Sequence, residues 1–247
     1  MSITIKKLLY MIIKNFVKNT EHESAIKHVT GKAIYTDDIP EPQNLLHAAI
    51  GFSNVSKGTI QKIDFSNVLN SEGVIDIITE SDIEGQNDVG PIFKGDKIFT
   101  SKNIEYYGQP IFAVIATSAK LARQASLNAK IKIKKLKPIL TIEEAIKKKS
   151  FVLKSKVIKK GKPLIAIKNS NHKLKGKLEC GGQDHFYLEG QIALTIPQED
   201  NNFLIYSSTQ HPSETQQIVA KVLKQKFNSI NVKVRRIGGG FGGKETQ

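Results

Sequence analysis

The residues with the clearest capacity for chemistry stand together near the end of the sequence, where glycine dominates. Residues 238–243 read Gly-Gly-Gly-Phe-Gly-Gly, and Lys244 and Glu245 follow them. Glycines let backbone N–H groups approach a ligand closely, and they tolerate positive φ. The segment therefore predicts a loop that binds a ligand through its main chain, the alternative being a flexible tip at the end of the chain.

Two nucleotide-binding patterns fit these glycines only in part. The pattern G-x-G-x-x-G starts at Gly238, but it indicates dinucleotide binding only when a helix and a later acidic residue follow, and the sequence ends at Gln247. The pattern G-x-x-x-x-G-K also starts there. It requires a Mg²⁺-binding Ser or Thr next, whereas Glu245 stands in that place and would repel a phosphate. Both patterns are weak evidence for a nucleotide site.

The composition is that of a globular protein with a strongly positive charge. The formal net charge is +14, yet only three of the 37 basic residues are arginines, Arg123, Arg235 and Arg236. Recognition of phosphate and guanine favours the planar fork of arginine, and no basic and aromatic recognition pattern is present. The lysines therefore indicate a solvated surface, and we expect no nucleic-acid partner.

The cysteine count and the length of the apolar runs indicate in which cellular compartment the protein works. Cys180 is the single cysteine, so the chain forms no internal disulfide and no thiolate metal cluster, and we expect this residue to be a small buried side chain. The apolar run at residues 8–13 is far shorter than the ~20 residues that span a bilayer, and its spacing predicts a short amphipathic helix. We expect a cytoplasmic protein that does not enter a membrane.

The elements that must position the glycine run alternate irregularly, which predicts an α+β fold. Period-2 patterns and apolar runs predict strands at residues 45–51, 59–65, 74–79, 111–116, 130–136, 172–179, 187–196, 203–207 and 231–237. Capping signals and helical spacing predict helices at residues 66–73, after Thr117 or Ser118, after Thr141, and from Ser213.

Four segments, in this order along the chain, resemble motifs of the xanthine dehydrogenase and aldehyde oxidase family. They are HVTGKAIYTDDIP (28–40), GGQDHFYLEG (181–190), SSTQHPSE (207–214) and RRIGGGFGGKET (235–246). The resemblance covers residue 21 to the end and leaves residues 1–20 outside. It implies an α/β hammerhead domain at 21–146, a connecting segment at 147–171, and the truncated beginning of a molybdopterin-binding domain at 172–247.

The resemblance also implies a cofactor, the molybdenum–molybdopterin group. In this family a molybdenum-bound hydroxide attacks an electron-poor ring carbon, and a hydride passes to a sulfido ligand. By resemblance, the side-chain amide of Gln183 donates to the apical oxo group of molybdenum. The matching loop holds the cofactor through Gly239, Gly240, Phe241 and Gly242, and Phe241 shields the site from water. Gln183 and Phe241 then lie beside the metal without ligating it.

Glu245 matches a substrate-binding glutamate, which favours purines such as xanthine and hypoxanthine, oxidised to urate. The alternatives are an aldehyde or other heterocycle as substrate, or a non-catalytic interaction module. His185 and His211 are expected to be structural, because the family holds molybdenum through the pterin. The family's catalytic glutamate lies further along a longer subunit, so we expect no catalytic residue in this chain and no activity from it alone.

The resemblance extends to partners. The family's electrons leave through [2Fe–2S] clusters and FAD, which we expect on a separate small subunit, with NAD as the final acceptor. The full assembly is then a hetero-oligomer.

Overall fold

A computed structural model of the protein describes residues 21–90 and 93–245. The amphipathic helix predicted near the start, and the leader segment to which it belongs, lie outside these residues. The strands are β1 (His47–Phe52), β2 (Gly58–Asp64), β3 (Val74–Ile78), β4 (Asn103–Ile104), β5 (Pro110–Ala116), β6 (Lys130–Lys135), β7 (Ala193–Pro197), β8 (Phe203–Ser207) and β9 (Ile230–Lys233). The helices are α1 (Ala25–Val29), α2 (Ser66–Leu69), α3 (Ala119–Ser126), α4 (Ile142–Lys147), α5 (Pro163–Asn169) and α6 (Pro212–Val222).

The α+β class is confirmed, because the strands form three mixed or antiparallel sheets with helices packed on them. The sheet orders are β1-β5-β3, β4-β2-β6 and β7-β8-β9. Among the described residues, no helix has the length and apolar character needed to cross a membrane.

The first sheet carries the main core. Strand β5 is a continuous apolar run between two antiparallel neighbours, and Phe112 and Val114 on it are at most 1% exposed. Helix α3 packs over the sheet through Ala122 and Ala125, with Ser118 accepting the N–H of Leu121 as its N-cap. The predicted buried strand and the cap at Ser118 are confirmed.

The second sheet shows the predicted alternation. In β6 the isoleucines are half-buried and the lysines between them are exposed, as expected for a strand with one face in water. Helix α4 begins after Thr141, whose side-chain oxygen accepts the N–H of Glu144 at 3.1 Å. The predicted cap at Thr141 is therefore confirmed.

The third sheet leads to the glycine run. Strands β8 and β9 are parallel and are connected through α6, and Ile205, Ala220 and Ile230 form their small core. Helix α6 begins one residue before the predicted Ser213. Its N-cap is His211, whose Nδ1 accepts the N–H of Glu214 at 3.2 Å.

Several predictions in this half are wrong. Residues 171–192 contain no helix or strand, so the strand at 172–179 is absent and the strand at 187–196 is reduced to β7. A period-2 pattern makes a strand only where a neighbour satisfies its backbone groups. Cys180 is exposed rather than buried. Helix α5 lies inside the predicted connecting segment 147–171, whose bounds stay a prediction.

Two sets of hydrogen bonds join the early and late parts of the chain. The N–H groups of Gly85 and Gln86 donate to the carbonyls of Val222 and Lys221 at 3.0 and 3.1 Å, which satisfies the C-terminal end of α6. A Cβ at Gly85 would lie 1.9 Å from the Lys221 carbonyl oxygen, so only glycine fits. Arg236 donates to the carbonyl oxygen of Ile34 at 2.7 Å.

Candidate functional site

The glycine loop, residues 238–245, follows β9 after a short connection and turns back on itself. Gly239 and Gly242 adopt φ of 99° and 91°, which glycine permits at little steric cost. Phe241, between them, has φ of 52°, a left-handed conformation that is uncommon for a bulky residue. Such a backbone is held only where its surroundings enforce it, and strain of this kind clusters at ligand sites.

Glu189 holds the first residue of the loop. Its Oε2 accepts the N–H of Gly238 at 2.7 Å, and its own N–H donates to the Gly238 carbonyl oxygen at 3.2 Å. A Cβ at Gly238 would lie 2.4 Å from the Cβ of Glu189. The glycine is therefore required for this close approach.

Gln210 holds the far side of the loop. Its side-chain Oε1 accepts the N–H groups of Gly242 at 2.8 Å and Lys244 at 3.3 Å. Its backbone N–H donates to the Lys244 carbonyl oxygen at 2.8 Å. A Cβ at Gly240 would lie 2.4 Å from the Gln210 Oε1, so this glycine also makes room for a clamping side chain. The two halves of the loop are thus fixed by side chains from other segments.

Three successive N–H groups remain between the clamped ends. Those of Gly239, Gly240 and Phe241 donate to no other residue in the described part of the chain. Consecutive free N–H groups in a turn with alternating backbone conformations form a concavity that binds anions and oxo groups. This arrangement suits a negatively charged ligand held by the main chain.

Lys244 has its side chain inside the protein. It is 1% exposed, its Nζ lies 3.1 Å from the Glu189 Oε2, and the same Nζ lies 4.8 Å from the ring centroid of Tyr187. The ammonium therefore gains an ion pair and a cation–π contact in place of water. Glu245, the next residue, is exposed.

Gln183 is two residues from His185, a residue that contacts the loop. The ring of His185 sits against the loop: its Nδ1 would be 2.9 Å from a Cβ at Gly243. Two residues of chain span at most about 7 Å, which bounds the distance of Gln183 from His185. Gln183 is exposed and its amide contacts no described residue, so its role toward an oxo group stays a prediction.

The other predicted residues are placed as follows. Phe241 is 75% exposed, and its shielding of the site therefore stays a prediction. His211 is the N-cap of α6, and His185 stacks against Tyr187 with ring centroids 6.4 Å apart. Across residues 21–90 and 93–245, no group of three or more His, Cys, Asp or Glu side chains is arranged to hold a metal ion.

Sequence reasoning missed the roles of Glu189, Gln210 and Lys244. Each lies in a segment that carried the family resemblance, and that membership was the available signal. Their contacts join residues more than thirty positions apart, so no local spacing rule points to them.

Two family models match the chain. One, described as the aldehyde oxidase and xanthine dehydrogenase a/b hammerhead domain, matches residues 30–137, and the other, described as the molybdopterin cofactor-binding domain, matches residues 145–247. This chain belongs to the aldehyde oxidase and xanthine dehydrogenase family. The predicted hammerhead and molybdopterin-binding folds are confirmed, while the boundaries of the domains stay predictions.

Curated relatives of two kinds are similar to this family member. "Xanthine dehydrogenase/oxidase" of Gallus gallus is 39% identical over 227 residues, which is 92% of this chain and 17% of the relative. "Aldehyde oxidase 1" of Rattus norvegicus is 40% identical over 225 residues, which is 90% of this chain and 17% of the relative. The chain thus spans about a sixth of the length of these relatives.

Solved structures show the same fold. The aldehyde oxidoreductase from Desulfovibrio gigas superposes with a TM-score of 0.78 at 23% identity, covering 90% of this chain and 27% of that one. At this identity the likeness establishes the fold of the family member and not its substrate.

Proposed function

We propose that this chain supplies the hammerhead domain and part of the cofactor-binding surface of a molybdenum hydroxylase that oxidises purines, converting xanthine or hypoxanthine to urate. One observation carries the proposal. The glycine loop is clamped at both ends, and three successive N–H groups in it have no acceptor among residues 21–90 and 93–245, next to the exposed Glu245.

The donors of the loop fit the molybdenum cofactor. Its oxo and phosphate oxygens need hydrogen-bond donors, and the N–H groups of Gly239, Gly240 and Phe241 are available. The cofactor brings its own sulfur ligands, which agrees with a described site built of main-chain donors. When bound, the cofactor would supply two-electron oxidation of an electron-poor carbon, with water as the source of oxygen.

The chain's own residues would bind and orient. The side-chain amide of Gln183 is a neutral donor that can approach an oxo group without losing a proton. Gly242 would let the loop pass close to the cofactor, and Phe241 would exclude water from it once the site is assembled. Glu245 would hydrogen-bond the purine ring and stabilise charge that develops during oxidation.

Aldehydes or other heterocycles are the alternative substrates. Relatives named as xanthine dehydrogenases and as aldehyde oxidases match this chain at similar identity. Glu245 favours a purine, because a carboxylate can bind the N–H groups of a ring and an aldehyde offers none. A non-catalytic interaction module is the second alternative.

We also propose the partners of the site. Electrons would pass to [2Fe–2S] clusters and FAD on a small subunit in the cytoplasm, with NAD as the final acceptor and a hetero-oligomer as the working assembly. The catalytic glutamate of the family would come from outside this chain, so the chain alone would neither hold the cofactor tightly nor turn over.

The test measures molybdenum content and xanthine-dependent dye reduction, first on the 247-residue chain and then on the chain purified with its iron–sulfur and flavin partner. We expect xanthine oxidation in the assembly and none in the chain alone. Glu245→Val is expected to lower kcat/KM for xanthine by about 100-fold while changing that for an aromatic aldehyde far less, since the lost contact is specific to the purine. Equal losses for both substrates would refute the purine assignment.

A further inference from the structure

A buried ion pair closes the base of the glycine loop. The side chains of Lys244 and Glu189 are 1% and 10% exposed, whereas every other ion pair among the described residues has both side chains at least 22% exposed. Burying two charges removes their hydration, and an apolar pair of similar volume often stabilises a fold as well. Stability alone therefore does not account for a charged pair at this place.

The pair joins the two ends of the loop through one atom. Glu189 Oε2 accepts both the N–H of Gly238 and the ammonium of Lys244, at 2.7 and 3.1 Å. The three free N–H groups lie between those two residues in sequence. A buried carboxylate oxygen thus closes the loop at its base. If the two ends separated, the buried charges of Glu189 and Lys244 would lose their partners.

The other Glu189 oxygen makes the arrangement specific. Oε1 is buried and has no hydrogen-bond partner among the described residues. The hydrogen bonds of this carboxylate in the described structure therefore all go to the loop. An apolar side chain would fill the same space but could not hold the N–H of Gly238.

Lys244 also sets the direction of its neighbour. Its backbone is held by Gln210, and its side chain runs inward to Glu189 and across the ring of Tyr187. Because both the main chain and the side chain of Lys244 are held, the position of the next Cα, that of Glu245, is held as well. Glu245 itself is exposed.

We propose that Glu189 and Lys244 are positioning residues that hold the free N–H groups of the loop and the carboxylate of Glu245 in place for cofactor and substrate. This inference rests on the proposed function for its ligands. It concerns residues to which neither the sequence nor the family models gave a role.

The test replaces the two charged side chains by apolar side chains of similar volume. The variant carries Glu189→Leu and Lys244→Met, and the matched control carries Glu144→Leu and Lys148→Met, which removes an exposed ion pair of 2.8 Å. The first readouts, on the 247-residue chain, are thermal unfolding and the amide NMR signals of the loop. We expect both variants to fold, and only the first to lose the single set of wild-type signals at residues 239–241 and 245.

The second readout is steady-state purine oxidation by the assembled enzyme. The double variant is expected to lower kcat/KM by about 10- to 100-fold at unchanged melting temperature, because small displacements of positioned groups cost this much. The single variant Lys244→Arg, which keeps both charges of the pair, is expected to retain most of the wild-type activity. If the double variant does not fold, Glu189→Gln takes its place. The glutamine oxygen can still accept the N–H of Gly238, whereas the negative charge is gone. A smaller loss of kcat/KM is then expected.

The outcomes separate the two proposals. Wild-type loop signals and wild-type kcat/KM in a folded double variant would overturn the positioning role. Absence of molybdenum and of purine oxidation in every wild-type preparation would instead remove the proposed function. In that case the loop signals of the 247-residue chain still decide whether this ion pair orders the loop.

Discussion

The first half of the molecule and the second are held together in different ways. In the first, β5 lies in the middle of its sheet, and Phe112 and Val114 are almost completely buried. In the second, the segment between α4 and β7 leaves Val152, Ile158 and Leu174 completely exposed. Apolar burial thus fixes the hammerhead region, whereas the glycine loop depends on a few polar side chains. A single substitution should therefore act through volume in one half and through charge in the other.

The largest effect is expected in the first core. Phe112→Ala should lower the free energy of unfolding by about 3–5 kcal/mol, because it removes a buried ring and leaves a cavity. Phe186→Ala, at a ring that is 90% exposed, is the matched change in the second half and should cost less than about 0.5 kcal/mol. Urea unfolding of both variants provides the measurement, and equal losses would mean that the second half also has a dense core around that ring.

Charge should matter most beside the glycine loop. Lys244→Met leaves the Glu189 carboxylate buried without its counter-charge and should destabilise the protein by about 3 kcal/mol. The control, Lys148→Met, removes a solvent-accessible i,i+4 ion pair at the end of α4 and should leave the urea midpoint almost unchanged. Both are read from urea midpoints, and the comparison fails if the two variants lose the same stability.

A smaller change in stability is expected at Glu80, which tests whether an ionised side chain also stabilises the first half. A hydrogen bond from Ser101, together with those from Lys97 and Asn87, lowers the pKa of Glu80 from 4.5 to about 2. Because the folded pKa lies below the unfolded one, the stabilisation is complete above pH 4.5 and is lost as the pH falls toward 2. Glu80→Gln should cost about 1–2 kcal/mol at pH 7, allowing for solvent screening.

The check on Glu80 is a pair of stability–pH curves. Wild type and Glu80→Gln should converge as the pH falls from 4.5 toward 2. A difference that stayed constant over that range would show that the substitution acts through packing and not through the ionised carboxylate.

The two halves also differ in how far the sequence predicts them. In the first, the predicted strand 111–116 differs from β5 by one residue, and the alternation at 130–136 matches β6. These patterns predict the strands correctly because each strand finds its hydrogen-bonding neighbours within the hammerhead region, β5 between β1 and β3 and β6 beside β2. Period and capping rules are then sufficient.

In the second half the same rules were less successful. The alternation of lysine and apolar residues at 172–179 predicted a strand, but the pattern carries no information on whether a partner strand is present. The glycine loop was predicted from its own residues. Its clamps were not, because Glu189 and Gln210 act on groups 49 and 32 positions away. Only the fold brings such pairs together.

The capping of α6 by Gly85 and Gln86 has a consequence for the order of folding. During synthesis the amides that complete this helix leave the ribosome well before the helix does, and at about 5–20 residues per second the delay amounts to several seconds or more. The hammerhead region can therefore be folded and waiting when α6 emerges. It would then act as a template inside the same polypeptide, and a defect in the loop around Gly85 would show first as slow maturation of the distant helix.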